Sequence, residues 1–138
     1  MAMTAPASTI TTTATAAAVA TNATHDTETT AEWFDSLSEE DRKALQKLPG
    51  FEWLDPKQKF DDRVRDGFLR LVYGAPSTLA LVLFQDAMGS RERINRPGTT
   101  DPANWSYRAG KTIDELNADR DNTERLARLS LEAGRVAR

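Results

Sequence analysis

The chain has no cysteine and a single histidine. The first absence excludes a disulfide framework, a thiolate metal site and a cysteine nucleophile, and it accords with a reducing compartment. The second leaves too few nitrogen ligands for a histidine-based zinc site. Positive charge is not in excess either. The 18 Lys and Arg against 21 Asp and Glu give a net charge of -3, which offers no electrostatic footprint for nucleic acid. No apolar run approaches the roughly 20 residues that a membrane-spanning helix needs. The N-terminus lacks the basic start and leucine-rich centre of a secretory signal. The expectation is a cytoplasmic chain that needs no metal or other cofactor and partners neither membrane nor nucleic acid. What is there is ordinary: 138 residues, 39% hydrophobic and 28% charged, a size and balance suited to one domain.

Residues 1 to 15, MAMTAPASTITTTAT, are low-complexity Ala/Thr with little to bury, and composition predicts a disordered head. From Ala16 the apolar run AAAVAT has a β-branched centre and reads as a strand ending near Thr21. The NATHDTETT that follows is dense in turn formers and reads as a loop. It holds the histidine beside an aspartate, His25-Asp26, and two readings stand open there: a solvated turn, or a site loop. In SLSEEDRKALQKL, Ser38 with Asp41 fits a capping box, and Pro49-Gly50 predicts the stop of that helix. Phe60, Val64, Phe68, Leu71 and Val72 recur at helical spacing, with Asp61 and Asp62 in the first turn and Gly74-Ala75-Pro76 as the stop. Asp35, Asp41, Asp61 and Asp62 read as caps, and Trp33, Phe34, Trp53 and Phe68 as packing residues.

TLALVLFQD, residues 78 to 86, is continuously apolar up to Gln85-Asp86. An antiparallel strand with one wet face would alternate, so the run predicts a strand buried on both faces, as in a parallel sheet covered by helices. The favoured reading of Gln85-Asp86 is a strand-end cap that orients loops. A long loop rich in Gly, Pro, Asn and Arg then carries Trp105 and Tyr107. Thr112 with Glu115 forms a second capping box, and Asn122 is the expected cap of a last helix whose face includes Leu126, Leu129 and Ala133. Acidic residues interleave with the arginines of that helix, which makes it a solvated face.

Strand, helices, strand is a β-α-β order and implies a right-handed parallel crossover. Two parallel strands leave both edges bare. The expected fold class is therefore α/β: residues 16 to 138 as the C-terminal portion, about the last quarter, of a (β/α)₈ TIM barrel, a fold of about 250 residues or more. Chemistry in such barrels sits at the C-terminal ends of strands. His25-Asp26 follows the first strand, and Gln85-Asp86 with the Arg/Asn/Pro/Gly loop follows the second.

THDTETTAEWF, LVLFQDAMG and RINRPGTTDPANWSYR, taken together, resemble the C-terminal part of the 4-α-glucanotransferases (amylomaltases, or disproportionating enzymes), glycoside hydrolase family 77 of the α-amylase clan. The resemblance runs from about residue 16 to 135. T-H-D alone is common, whereas R-x-N-x-P-G with N-W-x-x-R after a strand ending in Q-D is more specific. The resemblance implies retaining transfer of α-1,4-glucan segments between maltooligosaccharides by three carboxylates. A nucleophile and an acid/base stand about 5 Å apart in such enzymes, and a third carboxylate stabilises the oxocarbenium-like transition state. It assigns that third role to Asp26 and a sugar hydroxyl contact to His25. Asn95 becomes a donor-subsite contact, and Arg93, Pro97, Asn104 and Trp105 shape the same wall. For Trp105, stacking on a sugar ring and packing as a structural plug both stay open. The family's nucleophile and acid/base lie on earlier strands, so the isolated chain is expected to be inactive and its partners to be α-1,4-glucans and the missing N-terminal barrel portion. The alternatives are a fragment of a related α-glucan hydrolase and a non-catalytic helical interaction module.

Overall fold

The computed structural model describes residues 15–136. The Ala/Thr head expected over residues 1 to 15 lies outside the described residues but for Thr15, where the first strand begins. The elements in order are β1 (Thr15–Thr21), α1 (Thr30–Ser36), α2 (Glu39–Leu45), α3 (Asp62–Tyr73), β2 (Ser77–Leu81), α4 (Phe84–Met88), α5 (Ile113–Ala118) and α6 (Arg120–Glu132). The two strands pair in parallel, with Val19 opposite Leu79, Ala20 opposite Ala80 and Thr21 opposite Leu81. The register slips between Thr15 and Val19. Ala17 sits inside that slip at φ 69°, the left-handed conformation that a bulge can demand of its extra residue.

Local chemistry sets the helix ends. The Ser38–Asp41 and Thr112–Glu115 capping boxes both form. Asp61 caps α3 by accepting the Val64 N–H at 2.9 Å, and Gly74 closes its far end. Helix α2 stops at Leu45 with Gln46 as C-cap, short of Pro49-Gly50. Asp119, not Asn122, caps α6. Its side chain accepts the Asn122 N–H, so Asn122 is the donor in that cap. Asp35 and Asp62 cap nothing; they pair with Arg91 at 2.6 Å and Arg65 at 2.8 Å.

The core is aromatic and lies between α1, α3 and the segment joining α2 to α3. Phe34, Phe51, Leu54 and Val64 are buried, with Trp33, Trp53, Phe60 and Phe68 packed around them. Gly67 of α3 makes this possible, because a Cβ there would stand 2.8 Å from Phe51 Cζ. A second anchor is ionic. Asp66 Oδ1 meets Arg65 at 2.9 Å and Arg125 at 3.1 Å, and Arg125 also donates to the Ala87 carbonyl at 2.6 Å. This network ties α3, α4 and α6 together.

Two expectations for residues 78 to 86 are corrected. The strand ends at Leu81, and Phe84–Met88 form a short helix closed by Gly89 at φ 75°. A continuous apolar run does not by itself separate a buried strand from a buried helical turn. Gln85 and Asp86 are buried, but on that helix and not at a strand end. Nor is β2 buried on both faces. Ala18, Ala20 and Ala80 are half-buried, whereas Val19, Leu79 and Leu81 on the opposite face are 54%, 54% and 56% exposed. Among the described residues nothing covers that face.

Candidate functional site

The loop from Asn22 to Thr29 leaves the C-terminal end of β1. Its centre is a turn: Thr27 N–H donates to the Thr24 carbonyl at 3.2 Å, and Thr24 N–H donates to Thr27 Oγ1 at 3.0 Å. Residues His25 and Asp26 stand on that turn with their side chains about half exposed. Thr29 then caps α1, accepting the Glu32 N–H at 3.2 Å.

The second loop, after α4, folds on itself. The Thr99 N–H donates to the Arg96 carbonyl at 3.3 Å. Pro97 occupies the second position of this turn and Gly98, at φ 75°, the third, the pattern of a type II turn. Asn104 braces it from inside: its Oδ1 accepts the Arg96 N–H at 3.0 Å and its Nδ2 donates to Thr99 Oγ1 at 3.0 Å. Trp105 N–H donates to the Ile94 carbonyl at 2.8 Å. That bond holds Trp105 at φ 64° with the residue 63% exposed.

The two loops meet at Asp26. Asn95 Nδ2 donates to Asp26 Oδ1 at 2.8 Å, Arg93 reaches the Asp26 carbonyl at 3.4 Å, and His25 Nε2 lies 3.3 Å from Asp26 Oδ2. The His25 ring sits against the Trp105 indole, centroids 5.1 Å apart and tilted by 43°. Five of the seven residues singled out in the sequence (His25, Asp26, Arg93, Asn95 and Trp105) thus form one connected surface, with Pro97 and Asn104 shaping the turn beside it. Asn104 spends its amide on the loop, which makes it a brace.

Sequence reasoning missed Glu32, Asn22 and the placement of Asp86. Glu32 Oε1 lies 3.5 Å from Arg96 and 3.9 Å from Arg93, behind the Asp26 turn. The T-x-x-E spacing of Thr29 and Glu32 was a legible helix-start signal, though it does not say that the carboxylate turns to the arginines. Asp86 accepts from Asn22 Nδ2 and from Thr30 N–H, each at 2.7 Å. On the second loop, burial and then the nearby Glu92 carboxylate raise the Tyr107 phenol, and the hydrogen bond to Asp119 raises the Lys111 ammonium.

The chemistry available is that of an exposed carboxylate steadied on one oxygen by an amide, with an imidazole and an open indole face beside it. Such a set can accept hydroxyl donors on Asp26 and offer a flat apolar surface to a ring. Among the described residues, no group of three or more His, Cys, Asp or Glu could hold a metal, and no helix is long and apolar enough to cross a membrane.

By fold and site, this is an α/β chain whose polar loops gather at the carboxyl end of parallel strands. Its fold is that of part of an amylomaltase from Streptococcus agalactiae solved in complex with acarbose, with a TM-score of 0.64 and 22% identity over 86% of this chain and 22% of that one. The chain belongs to the 4-alpha-glucanotransferase family, glycoside hydrolase family 77, whose family model matches residues 3–112. That match takes in β1 through the second loop and ends before α5. A 4-alpha-glucanotransferase of Chlamydia pneumoniae is 31% identical over 108 residues, 70% of this chain and 19% of the relative. Another from Aquifex aeolicus is 34% identical over 88 residues, 62% of this chain and 17% of the relative. The chain spans about a fifth of the length of the relatives it matches.

Proposed function

We propose that this chain carries one wall of a 4-α-glucanotransferase active site, at the carboxyl end of the last strands of a (β/α)₈ barrel. Asp26 serves as the carboxylate that stabilises the oxocarbenium-like transition state, binding hydroxyls of one glucose unit. His25 donates to a neighbouring hydroxyl. Asn95 fixes the Asp26 carboxylate, Arg93 holds the second loop against it, Asn104 keeps that loop in shape from inside, and Trp105 offers its open face to an adjoining sugar. The nucleophile and acid/base belong to a part of the barrel outside these 138 residues. That part is the partner for the bare face of Val19, Leu79 and Leu81 and for the unpaired strand edges.

The observation that carries this reading is the Asn95–Asp26 hydrogen bond of 2.8 Å. It joins the T-H-D and R-x-N-x-P-G segments, which are 69 positions apart, and a solvated turn has no use for such a bond. A carboxylate meant to meet developing positive charge has to be held in place beforehand.

The test is maltotriose. The chain alone should release no glucose. A family enzyme whose corresponding segment is replaced by this chain should give glucose together with longer oligomers, and Asp26→Asn in that chimera should lower turnover by at least a hundredfold. Near-normal turnover of the Asn variant removes Asp26 from the chemistry, and glucose without longer products assigns hydrolysis.

A further inference from the structure

Asp86 lies in the first turn of α4 and is 3% exposed. The N-cap of that helix, Leu83, has no side-chain cap, yet the Asp86 carboxylate does not serve its own helix. Oδ2 accepts from Asn22 Nδ2 and Oδ1 from the Thr30 N–H, each at 2.7 Å. Asn22 is the first residue after β1 and Thr30 the first of α1, so these contacts sit at the two feet of the loop that carries His25 and Asp26. Asn22 Nδ2 also reaches Thr30 Oγ1 at 2.9 Å, which closes a triangle across the base of the loop. Asp86 is itself fixed from behind, because Arg125 of α6 donates to the carbonyl of Ala87 at 2.6 Å and is held by Asp66 at 3.1 Å.

We propose that Asp86 is a positioning residue for Asp26: it clamps both feet of the Asn22–Thr30 loop, so that the Asp26 carboxylate is presented to Asn95 in one orientation. The proposal rests on the reading of Asp26 as the carboxylate that meets the sugar. The clamp sets the base of the loop, the Thr24–Thr27 turn sets its shape, and Asn95 sets the orientation of the carboxylate. Because both oxygens of Asp86 are engaged, deleting the side chain frees both feet together. A catalytic group displaced by about an ångström loses much of its effect.

The test uses the 138-residue chain and nuclear magnetic resonance, with amide exchange at Thr24 and Thr27 and the Asn95 side-chain amide signal as readouts. Asp86→Ala should speed exchange at Thr24 and Thr27 at least tenfold and shift the Asn95 signal, with less than twofold change at Arg65 and Gly74 in α3. The exchanged pair Asn22→Asp with Asp86→Asn keeps a donor facing an acceptor across the clamp, and should bring exchange back to within about threefold of the parent. Should Asp86→Ala fail to fold, Asn22→Ala opens the loop side of the clamp without touching α4, and the same readouts apply. Uniformly faster exchange, an unmoved Asn95 signal, or no recovery in the exchanged pair overturns the proposal. These readouts do not depend on turnover. A shifted Asn95 signal together with a fully active Asp26→Asn chimera would keep the clamp and discard the proposed function.

Discussion

The Asp26 carboxylate takes a hydrogen bond of 2.8 Å from Asn95, while its second oxygen lies 3.3 Å from His25 Nε2. One oxygen is therefore committed to the protein, and the other faces the imidazole at the open surface. Asn95→Leu removes the donor and keeps the approximate size. In the maltotriose chimera it should lower kcat by about tenfold to a hundredfold, less than the roughly 10²–10³ lost with a donor that touches the reacting atoms themselves, because Asn95 acts through Asp26. KM should change less, because an interaction needed only in the transition state leaves ground-state binding alone. A rise in KM at constant kcat would instead make Asn95 a plain binding contact.

Trp105 combines a positive φ of 64° with 63% exposure. A non-glycine residue held there costs about 1–3 kcal/mol, and an exposed indole recovers little of that by burial. Trp105→Gly removes both the strain and the contact with His25, whereas Trp105→Ala keeps the strain and loses the contact. In urea melts the glycine variant should equal or exceed the alanine variant in stability, and both chimeras should bind glucan more weakly than the parent. A glycine variant clearly less stable than the alanine one would show that the conformation is relaxed and the ring a packing residue.

Gly67 faces the Phe51 ring, and a Cβ built there would stand 2.8, 3.2 and 3.3 Å from three ring carbons. Phe51 is fully buried, so its ring has nowhere to retreat. Gly67→Ala should destabilise the chain by about 1–3 kcal/mol, the usual cost of overpacking, despite the better helix propensity of alanine. With Phe51→Leu in the background, most of that cost should vanish. An equal cost in both backgrounds would mean that the clash is not the cause.

The β-α-β order, both capping boxes and the α3 cap were legible because each rests on local chemistry: side-chain oxygens at a helix start, glycine and proline at its stop. The meeting of His25, Asp26 and the Asn95 loop was legible through the resemblance, since no local rule brings positions 69 apart into contact. What stayed hidden depends on tertiary packing. The run Thr78 to Phe84 has the apolarity of a buried strand, yet Leu79 and Leu81 face outward because two strands cannot cover both their own faces. Asp86 looked like the end of a strand because nothing in its neighbours announces a helix as short as Phe84–Met88. Its partners, Asn22 and Thr30, lie 64 and 56 positions away.

Asp119 caps α6 and also takes a hydrogen bond from Lys111 Nζ at 2.9 Å. Bonds from Lys111, then from the Asn122 side chain and backbone, hold its carboxyl down to about 2 from the ordinary 3.8. The charged form is favoured in the folded chain, so its contribution to stability is full above about 3.8 and is lost as the pH falls through about 2. A carboxyl-carbon titration of Asp119 should show a midpoint near 2, and the amide signals of Asn122 and Thr123 should move with the same midpoint as the cap opens. Lys111→Met should move that midpoint upward, because the first of the stabilising bonds is gone. A parent midpoint near 3.8, unmoved by Lys111→Met, would show that the cap and the lysine do not engage the carboxylate in solution.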